Sequence, residues 1–295
     1  MTIHPPITVV IPVYNGADFV GRAIESALEQ TLRPVEVVVV DDGSVDATAE
    51  VVSRYSHEVK LLRQRNAGPA AARNYGARSA TGAWLAFLDA DDSWLPNKLE
   101  TQADYTEQPE VGVICSRTQV HDLSRAAIAI TFDTLWEKNR ITLSTTLVRT
   151  TAFREVGGFD ESPGIVGVED YNLWLRMAAA GWQFVTVPQV LCLYTPSENS
   201  LTAQVERFAN AELANLQQLG ERLEMDPERM GKRRAAIYAQ YGREFLYARD
   251  MPLARRYLRK ALRGCPSASG LAWCVTAHLP RLLLDLKRRW RQSPA

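Results

Sequence analysis

The chain of 295 residues lacks the cysteine patterns of a disulfide framework or a zinc site. Its four cysteines form no C-x-x-C pair and show no zinc-ligand spacing, which predicts reduced thiols in a cytosolic compartment. The formal net charge is zero, so no overall charge directs the protein to nucleic acid. No uninterrupted apolar run reaches the roughly 20 residues of a membrane-spanning helix, and the first residues do not follow the pattern of a signal peptide.

Glycine-rich phosphate-binding loops are absent as well. Neither G-x-G-x-x-G nor G-x-x-x-x-G-K-[ST] occurs, which argues against a dinucleotide dehydrogenase and against a P-loop enzyme. A pocket for phosphate in this chain would therefore have to use a metal ion and basic side chains.

Apolar, β-branched segments alternate with amphipathic ones in the first part of the chain. We predict strands at 7–11, 35–40, 59–62, 83–88, 111–116 and 143–148, and helices at 17–30, 46–55, 68–80 and from 96. This alternation predicts an α/β fold with a mainly parallel sheet flanked by helices. After about residue 202 the pattern is helical throughout, so we expect two domains, 1–202 and 203–295.

The stretch 83–92 joins a buried strand to three carboxylates. Six mostly apolar residues precede Asp89, Asp91 and Asp92, and we expect this acidic end to be exposed. Two such charges about 4 Å apart repel by roughly 4 kcal/mol at an effective dielectric near 20, and a divalent cation would remove that repulsion. Mg²⁺ or Mn²⁺ commonly shares one or two carboxylates with substrate phosphates. The alternative interpretation is an acidic turn before a helix.

Loops that follow the first, second and fourth predicted strands meet at one edge of a parallel sheet, where such sheets bind ligands. They carry Tyr14 and Asn15, Asp42, and the acidic stretch. Arg73 lies in a helix that enters this region and is the best candidate cation for a phosphate, or else a solvated helix residue. Asp42 either accepts a hydrogen bond from a nucleobase or forms the turn before Gly43.

Four segments occur in an order and spacing that resemble family-2 glycosyltransferases with the GT-A fold. They are PVYNG at 12–16, DDGS at 41–44, NAGPAAARN at 66–74 and LDADD at 88–92. The resemblance covers roughly residues 5–200. It implies a GT-A nucleotide-diphospho-sugar transferase fold and an inverting transferase that uses a nucleotide-sugar donor, most often a UDP-sugar. It also implies Mn²⁺ or Mg²⁺ on the D-x-D motif.

Carried over position by position, the resemblance implies two sets of binding residues. The nucleotide-sugar set is Pro12, Tyr14, Asn15, Asp42, Asn66, Arg73, Asp89 and Ala90, and the metal set is Asp89 and Asp91.

Glu169 and Asp170 open a predicted helix. Carboxylates are favoured in a first helical turn by the helix dipole, which is a sufficient structural explanation for the pair. In the family, however, this pair follows a Gly-Gly-Phe-Asp turn, here 157–160, and its Asp is the usual catalytic base. The resemblance therefore implies that Asp170 is the general base and that Glu169 orients it or contacts the sugar.

One departure from the family concerns the metal. Many relatives carry a further His ligand after the last strand of the domain, whereas the corresponding segment here is LYTPSENS at 193–200. We expect either that Glu198 or water completes the coordination or that the metal binds more weakly.

The helical region ends in a tail with a distinct composition. Residues 239–262 resemble one tetratricopeptide-like helical pair, which should pack on the catalytic domain or on a partner. The segment 270–295 is apolar and then basic, which favours a helix lying on an anionic membrane surface at the inner face of the cell membrane. The alternative is a helix packed on its neighbours with a solvated basic end.

Together these features predict a metal-dependent glycosyltransferase that acts on a hydroxyl of a glycan or lipid-linked acceptor in envelope polysaccharide synthesis. Two rivals stay open. One is a catalytically weak, glycosyltransferase-like scaffold or assembly protein, and the other is a sugar-phosphate nucleotidylyltransferase. The latter normally has a glycine-rich basic loop after its first strand, where this chain has PVYNG.

Overall fold

A computed structural model describes residues 4–119, 128–195 and 205–279. The chain divides into two compact units, Met1–Asn199 and Ser200–Ala295. The assignment of catalysis to residues 1–202 stays a prediction.

The first unit contains an eight-stranded sheet in the order β3-β2-β1-β4-β7-β6-β8-β5. The strands are β1 Ile7–Val13, β2 Glu36–Asp41, β3 Val59–Arg63, β4 Trp84–Phe87, β5 Ser93–Trp94, β6 Val111–Thr118, β7 Thr146–Arg149 and β8 Gln183–Leu193. The helices are α1 Val20–Leu28, α2 Thr48–Ser53, α3 Pro69–Ser79, α4 Lys98–Ala103, α5 Phe132–Glu137, α6 Thr150–Glu155 and α7 Glu169–Ala179.

The half of the sheet formed by β1 to β4 is entirely parallel. Val9 lies between Val37 of β2 and Ala86 of β4, and β2 pairs in parallel with β3. Because β1 and β4 are buried along their whole length, their sequences are continuous apolar runs. The predicted mainly parallel sheet flanked by helices is confirmed.

The other half of the sheet is mixed, and its strands are harder to find in the sequence. β7 pairs antiparallel with β4 and β6, and β5 pairs antiparallel with β8. The strand predicted at 143–148 begins only at Thr146, because a 3₁₀ turn occupies Leu143–Thr145. β8 was not predicted, since its exposed and buried positions follow no clean alternation and Pro188 interrupts it.

The second unit is helical in its described part. Its helices are α8 Val205–Arg222, α9 Pro227–Tyr247, α10 Met251–Gly264 and α11 Ala268–Thr276. Asp226 and Asp250 cap α9 and α10 by accepting hydrogen bonds from the backbone N–H groups of Arg229 and Leu253. A Cβ on Gly242 would lie 2.7 Å from Leu258 Cγ, so glycine allows α9 and α10 to pack closely.

No helix in the described ranges is long and apolar enough to cross a membrane. The predicted tail helix from residue 280 onward lies outside the described residues.

Candidate active site

The loops after β1 and β2 are tied together at the carboxyl edge of the parallel strands. The N–H of Asn15 donates to Ser44 Oγ at 2.9 Å, and Asn15 Oδ1 accepts from the N–H of Val45 at 2.9 Å. The ring of Tyr14 beside them is 52 % exposed and free to stack on a ligand. Pro12, near the end of β1, is buried. The carboxyl edge of the parallel strands therefore exposes an aromatic ring on a loop that hydrogen bonds hold in place.

Asp42 organises the neighbouring loop. Its carboxylate accepts hydrogen bonds from Gln64 Nε2 at 2.7 Å and from the N–H groups of Ala67 and Gly68, each at 2.9 Å. These contacts support the turn-forming interpretation of Asp42, while a contact with a nucleobase stays a prediction. Asn66 is exposed in the loop that Asp42 holds.

Arg73 joins two acidic motifs that are far apart in the chain. From α3, its Nη2 donates to Asp89 Oδ1 and its Nη1 to Glu169 Oε1, both at 2.7 Å. The guanidinium is buried, so the alternative of a solvated helix arginine is wrong. Burial lowers the pKa of Arg73, but the charges of Asp89 and Glu169 outweigh it and raise the pKa above its usual value. With both terminal nitrogens engaged by carboxylates, a contact of Arg73 with the nucleotide remains a prediction.

The acidic loop after β4 is held from several sides. The N–H of Asp89 donates to Ser144 Oγ at 3.1 Å, and Arg22 Nη2 donates to the carbonyl oxygen of Asp91 at 2.7 Å. Asp92 Oδ1 accepts from the N–H of Thr195 at 3.0 Å. Asp92 is only 1 % exposed, so the expectation of an exposed acidic end is wrong for this residue, which instead fastens the loop to the end of β8.

Repulsion between these carboxylates persists despite the bracing. Burial and then the charge of Asp89 raise the pKa of Asp91 and raise that of Asp92 to about 7. Such a cluster favours a cation.

Asp89 and Asp91 fit a divalent cation that takes its remaining ligands from elsewhere. Asp89 uses Oδ1 for Arg73, and its charge is close enough to Asp91 to raise the pKa of that carboxyl group. Among the described residues no group of three or more His, Cys, Asp or Glu could form a complete metal cage. Two carboxylates at a ligand edge suit Mg²⁺ or Mn²⁺ shared with a diphosphate. Glu198, the expected further ligand, lies outside the described residues.

Glu169 and Asp170 begin α7 on the other side of Arg73. Glu169 Oε2 accepts from the N–H of Gly167 at 2.5 Å, and Asn139 Nδ2 donates to Asp170 Oδ2 at 3.4 Å. Burial, followed by the charge of Glu169, raises the pKa of Asp170 to about 7. A carboxylate with such a pKa can take up a proton near neutral pH. Asn139 was missed by sequence reasoning because its segment has no periodic pattern.

A buried polar network is connected to the acidic loop through Ser144, which also bonds to Asp89. Trp94 Nε1 donates to the carbonyl oxygen of Ser144 at 2.7 Å, and Lys98 Nζ lies 4.1 Å from the centre of the Trp94 ring. Lys98 also donates to Gln102 Oε1 at 2.7 Å, and burial lowers its pKa to about 7. No sequence pattern marked Lys98, because lysine in an amphipathic helix is normally exposed.

The mainly parallel sheet flanked by helices is a GT-A fold, because solved structures of glycosyltransferases share it. The Glycosyl transferase family 2 model matches residues 8–154, and the Glycosyl transferase family group 2 model matches residues 84–284. The chain belongs to glycosyltransferase family 2.

Individual relatives agree with this assignment. An uncharacterized glycosyltransferase of Rickettsia typhi is 31% identical over 190 residues, and the match spans 59% of each chain. TuaG of Bacillus subtilis, a glycosyltransferase assigned to teichuronic acid biosynthesis, is 27% identical over 213 residues, which is 68% of this chain and 82% of TuaG. The mannosyltransferase PcManGT from Pyrobaculum calidifontis, solved with GDP-Man and Mn²⁺, has a similar fold, with a TM-score of 0.69 and 22% identity over 98% of this chain and 83% of its own.

Proposed function

We propose that this chain is an inverting, metal-dependent glycosyltransferase that moves a sugar from a nucleotide-diphosphate donor to an acceptor hydroxyl. The observation that carries the proposal is the pair of 2.7 Å contacts from Arg73 to Asp89 and Glu169. They bring the acidic loop and the start of α7 to opposite sides of one guanidinium. The residues proposed to hold the diphosphate are thus adjacent to the residue proposed as general base.

Different residues of the chain would bind the metal and accept the proton. Asp89 and Asp91 would hold Mn²⁺ or Mg²⁺, which as a Lewis acid stabilises the charge on a departing nucleoside diphosphate. Asp170 accepts the proton of the acceptor hydroxyl while that oxygen attacks the anomeric carbon. Attack opposite the leaving group inverts the anomeric configuration. Arg73 fixes the distance between the two ends, and Asn139 holds the base in place.

The donor and acceptor classes belong to the same proposal. Tyr14 supplies a stacking face for a nucleobase, with Asn15, Asp42, Asn66 and Ala90 at the same edge, and a UDP-sugar is the first candidate donor. PcManGT, which was solved with GDP-Man, makes a GDP-sugar the second. The role of TuaG in teichuronic acid biosynthesis supports a glycan or lipid-linked acceptor in envelope polysaccharide synthesis. The reaction would then take place at the cytoplasmic face of the membrane.

Thermal unfolding in the presence of UDP-, GDP- and dTDP-sugars, each with and without Mn²⁺, tests the proposal. A donor at about 100 times its dissociation constant should stabilise the fold by roughly 2.7 kcal/mol. The Mn²⁺-dependent part of that shift should disappear in Asp91→Asn. The matched control is Asp104→Asn, which removes the same charge from an exposed position after α4 and should shift like the wild type.

Turnover separates the enzyme from its scaffold rival. Slow Mn²⁺-dependent hydrolysis of the stabilising donor, lost in Asp91→Asn, would support the enzyme. A protein that neither binds nor hydrolyses any donor would instead be the glycosyltransferase-like scaffold.

A further inference from the structure

The zero net charge of the chain hides a strong asymmetry. Residues 1–199 carry 16 Lys and Arg against 25 Asp and Glu, a formal charge of −9. Residues 200–295 carry 18 Lys and Arg against 9 Asp and Glu, a formal charge of +9. The helical unit therefore has the charge of a protein with an anionic partner.

Helix α10 concentrates this positive charge. It contains no Asp or Glu, and no acidic residue occurs between Asp250 and Asp285. Its cationic residues are Arg255, Arg256, Arg259, Lys260 and Arg263, and all except the half-buried Arg255 are exposed. Arg256 pairs with Glu206, whereas within the described residues no carboxylate pairs with Arg259 or Arg263. α10 thus presents uncompensated charge to solvent.

Helix α11, next to α10, presents apolar side chains. None of its residues is buried, and Leu271 and Val275, one turn apart, are 56 % and 55 % exposed. Leu279 continues this stripe just beyond the helix at 39 % exposure. Globular proteins normally bury such a stripe or use it for binding.

Direct contacts fix the apolar stripe beside the cations. Arg255 Nε donates to the carbonyl oxygen of Ala277 at 2.8 Å, which ties the end of α11 to α10. The guanidinium of Arg243 lies 6.0 Å from the centre of the Trp273 ring, and Trp273 packs edge-on against the exposed Tyr247. The charge of Arg259 also acts on Cys274 of α11, so the helix with the apolar stripe lies directly beside the basic helix.

We propose that this surface, called the α10–α11 surface and formed by Arg255, Arg259, Lys260, Arg263, Leu271, Val275 and Leu279, docks the protein on an anionic lipid bilayer. Apolar side chains entering the acyl boundary with cations at the headgroups is the arrangement of interfacial helices. A nucleic acid would satisfy the cations and leave the stripe in water. In the sequence, the basic segment 281–291 follows shortly after Leu279. This proposal rests on the membrane location given under the proposed function and names the residues that would mediate it. It does not depend on the transfer reaction.

Flotation of the full-length protein with vesicles tests this proposal. Vesicles of phosphatidylcholine alone are compared with vesicles that also contain phosphatidylglycerol. Arg259→Gln/Arg263→Gln removes two cations from α10, and Leu271→Gln/Val275→Gln removes the apolar stripe. The control Arg54→Gln/Lys60→Gln removes two exposed cations from the first unit, so the net charge changes equally.

The wild type and the control should float only with anionic vesicles. Each cation removed from α10 should weaken partitioning by about fivefold, because one basic residue near an anionic surface contributes about that much. The apolar pair should weaken it by about tenfold or more. Wild-type flotation of either α10–α11 variant, an equal loss in the control, or equal binding to both vesicle types would overturn the proposal. Donor hydrolysis in solution should be unchanged in all three variants, so this result is separable from failure of the proposed reaction.

Discussion

Each of the two units contains an arginine buried against a carboxylate, but the surroundings of the two differ. Arg73 in the first unit bonds to Asp89 and Glu169, and its Nε is buried without a hydrogen-bond partner. Arg233 in the helical unit bonds to Glu212, whose other oxygen accepts from the hydroxyl of Tyr241 at 2.8 Å. Both oxygens of Glu212 thus have a partner within the helical unit, whereas the ion pairs of Arg73 lie next to further carboxylates that Arg73 does not neutralise.

This difference separates a structural ion pair from a candidate site. The carboxyl groups of Asp91, Asp92 and Asp170 all have raised pKa values, for which burial is the first cause and a neighbouring carboxylate the second. Closely spaced carboxylates favour the binding of a cation, and a carboxylate with a raised pKa can accept a proton near neutral pH. Groups with such shifted pKa values concentrate at functional sites. The excess charge of the helical unit instead lies on exposed side chains, where it can meet a partner.

The largest expected effect concerns the base. Asp170→Asn should reduce kcat by about 10²–10⁴-fold, because a positioned general base contributes roughly that much. The donor dissociation constant should change little, since Asp170 acts on the acceptor. Steady-state kinetics and donor titration measure the two quantities. Glu137→Gln, which removes an exposed carboxylate from α5, is the control. A kcat within a few-fold of wild type would show that Asp170 is not the base.

The two arginines can be compared directly by substitution with Met. Arg73→Met leaves the buried Glu169 and the half-buried Asp89 without their cation and should lower the free energy of unfolding by about 3–5 kcal/mol, with loss of donor hydrolysis. Arg233→Met leaves Glu212 bonded only to Tyr241 and should destabilise the protein less, with hydrolysis retained after folding. Denaturant unfolding and turnover are the measurements. Equal losses of turnover in the two variants would remove the distinction between the clusters.

The pH dependence of activity should reflect the raised pKa of Asp170. The base must be deprotonated, so kcat/KM should fall about tenfold per pH unit below a pKa of about 7 and level off above it. Asn139 stabilises the ionised form by hydrogen bonding, and Asn139→Ala should therefore move the inflection to higher pH. Asn97→Ala, an exposed change in the same unit, should not. An unchanged profile in Asn139→Ala would exclude its positioning role.

The smallest expected effect concerns Lys98. Burial lowers its pKa to about 7 from 10.5, so in this pH interval the unfolded lysine holds a proton that the folded one has released. The stability of the wild type relative to Lys98→Met should therefore rise with pH between those values, by about 1.4 kcal/mol per pH unit. Denaturant titrations over pH 7 to 10 measure it, with the exposed Lys60→Met as control. Parallel curves for wild type and Lys98→Met would contradict the lowered pKa.

Much of the first unit is predictable because its chemistry is local. The strands buried on both faces show as apolar runs, and the motif residues follow them directly, so the edge that carries Tyr14, Asp42 and Asp89 is visible in the sequence. Only the family resemblance predicted that Asp170, far along the chain, acts at the same site as this edge.

Long-range partners are not encoded in local patterns. The sequence gives no sign that Arg73 reaches Glu169, that Asp92 is buried against Thr195, or that Asn139 meets Asp170. Lys98 is missed because periodicity assigns lysine to solvent. The charge asymmetry can be counted from the sequence with the predicted boundary after residue 202, because residues 200–202 carry no charge.

The most direct test measures Mn²⁺-dependent donor hydrolysis and vesicle flotation on the same preparations of two variants. Asp91→Asn should lose the hydrolysis and float like the wild type. Arg259→Gln/Arg263→Gln should keep the hydrolysis and lose flotation. Persistence of Mn²⁺-dependent hydrolysis in Asp91→Asn, or loss of both properties in either variant, would contradict an account in which the first unit performs the chemistry and the helical unit docks it.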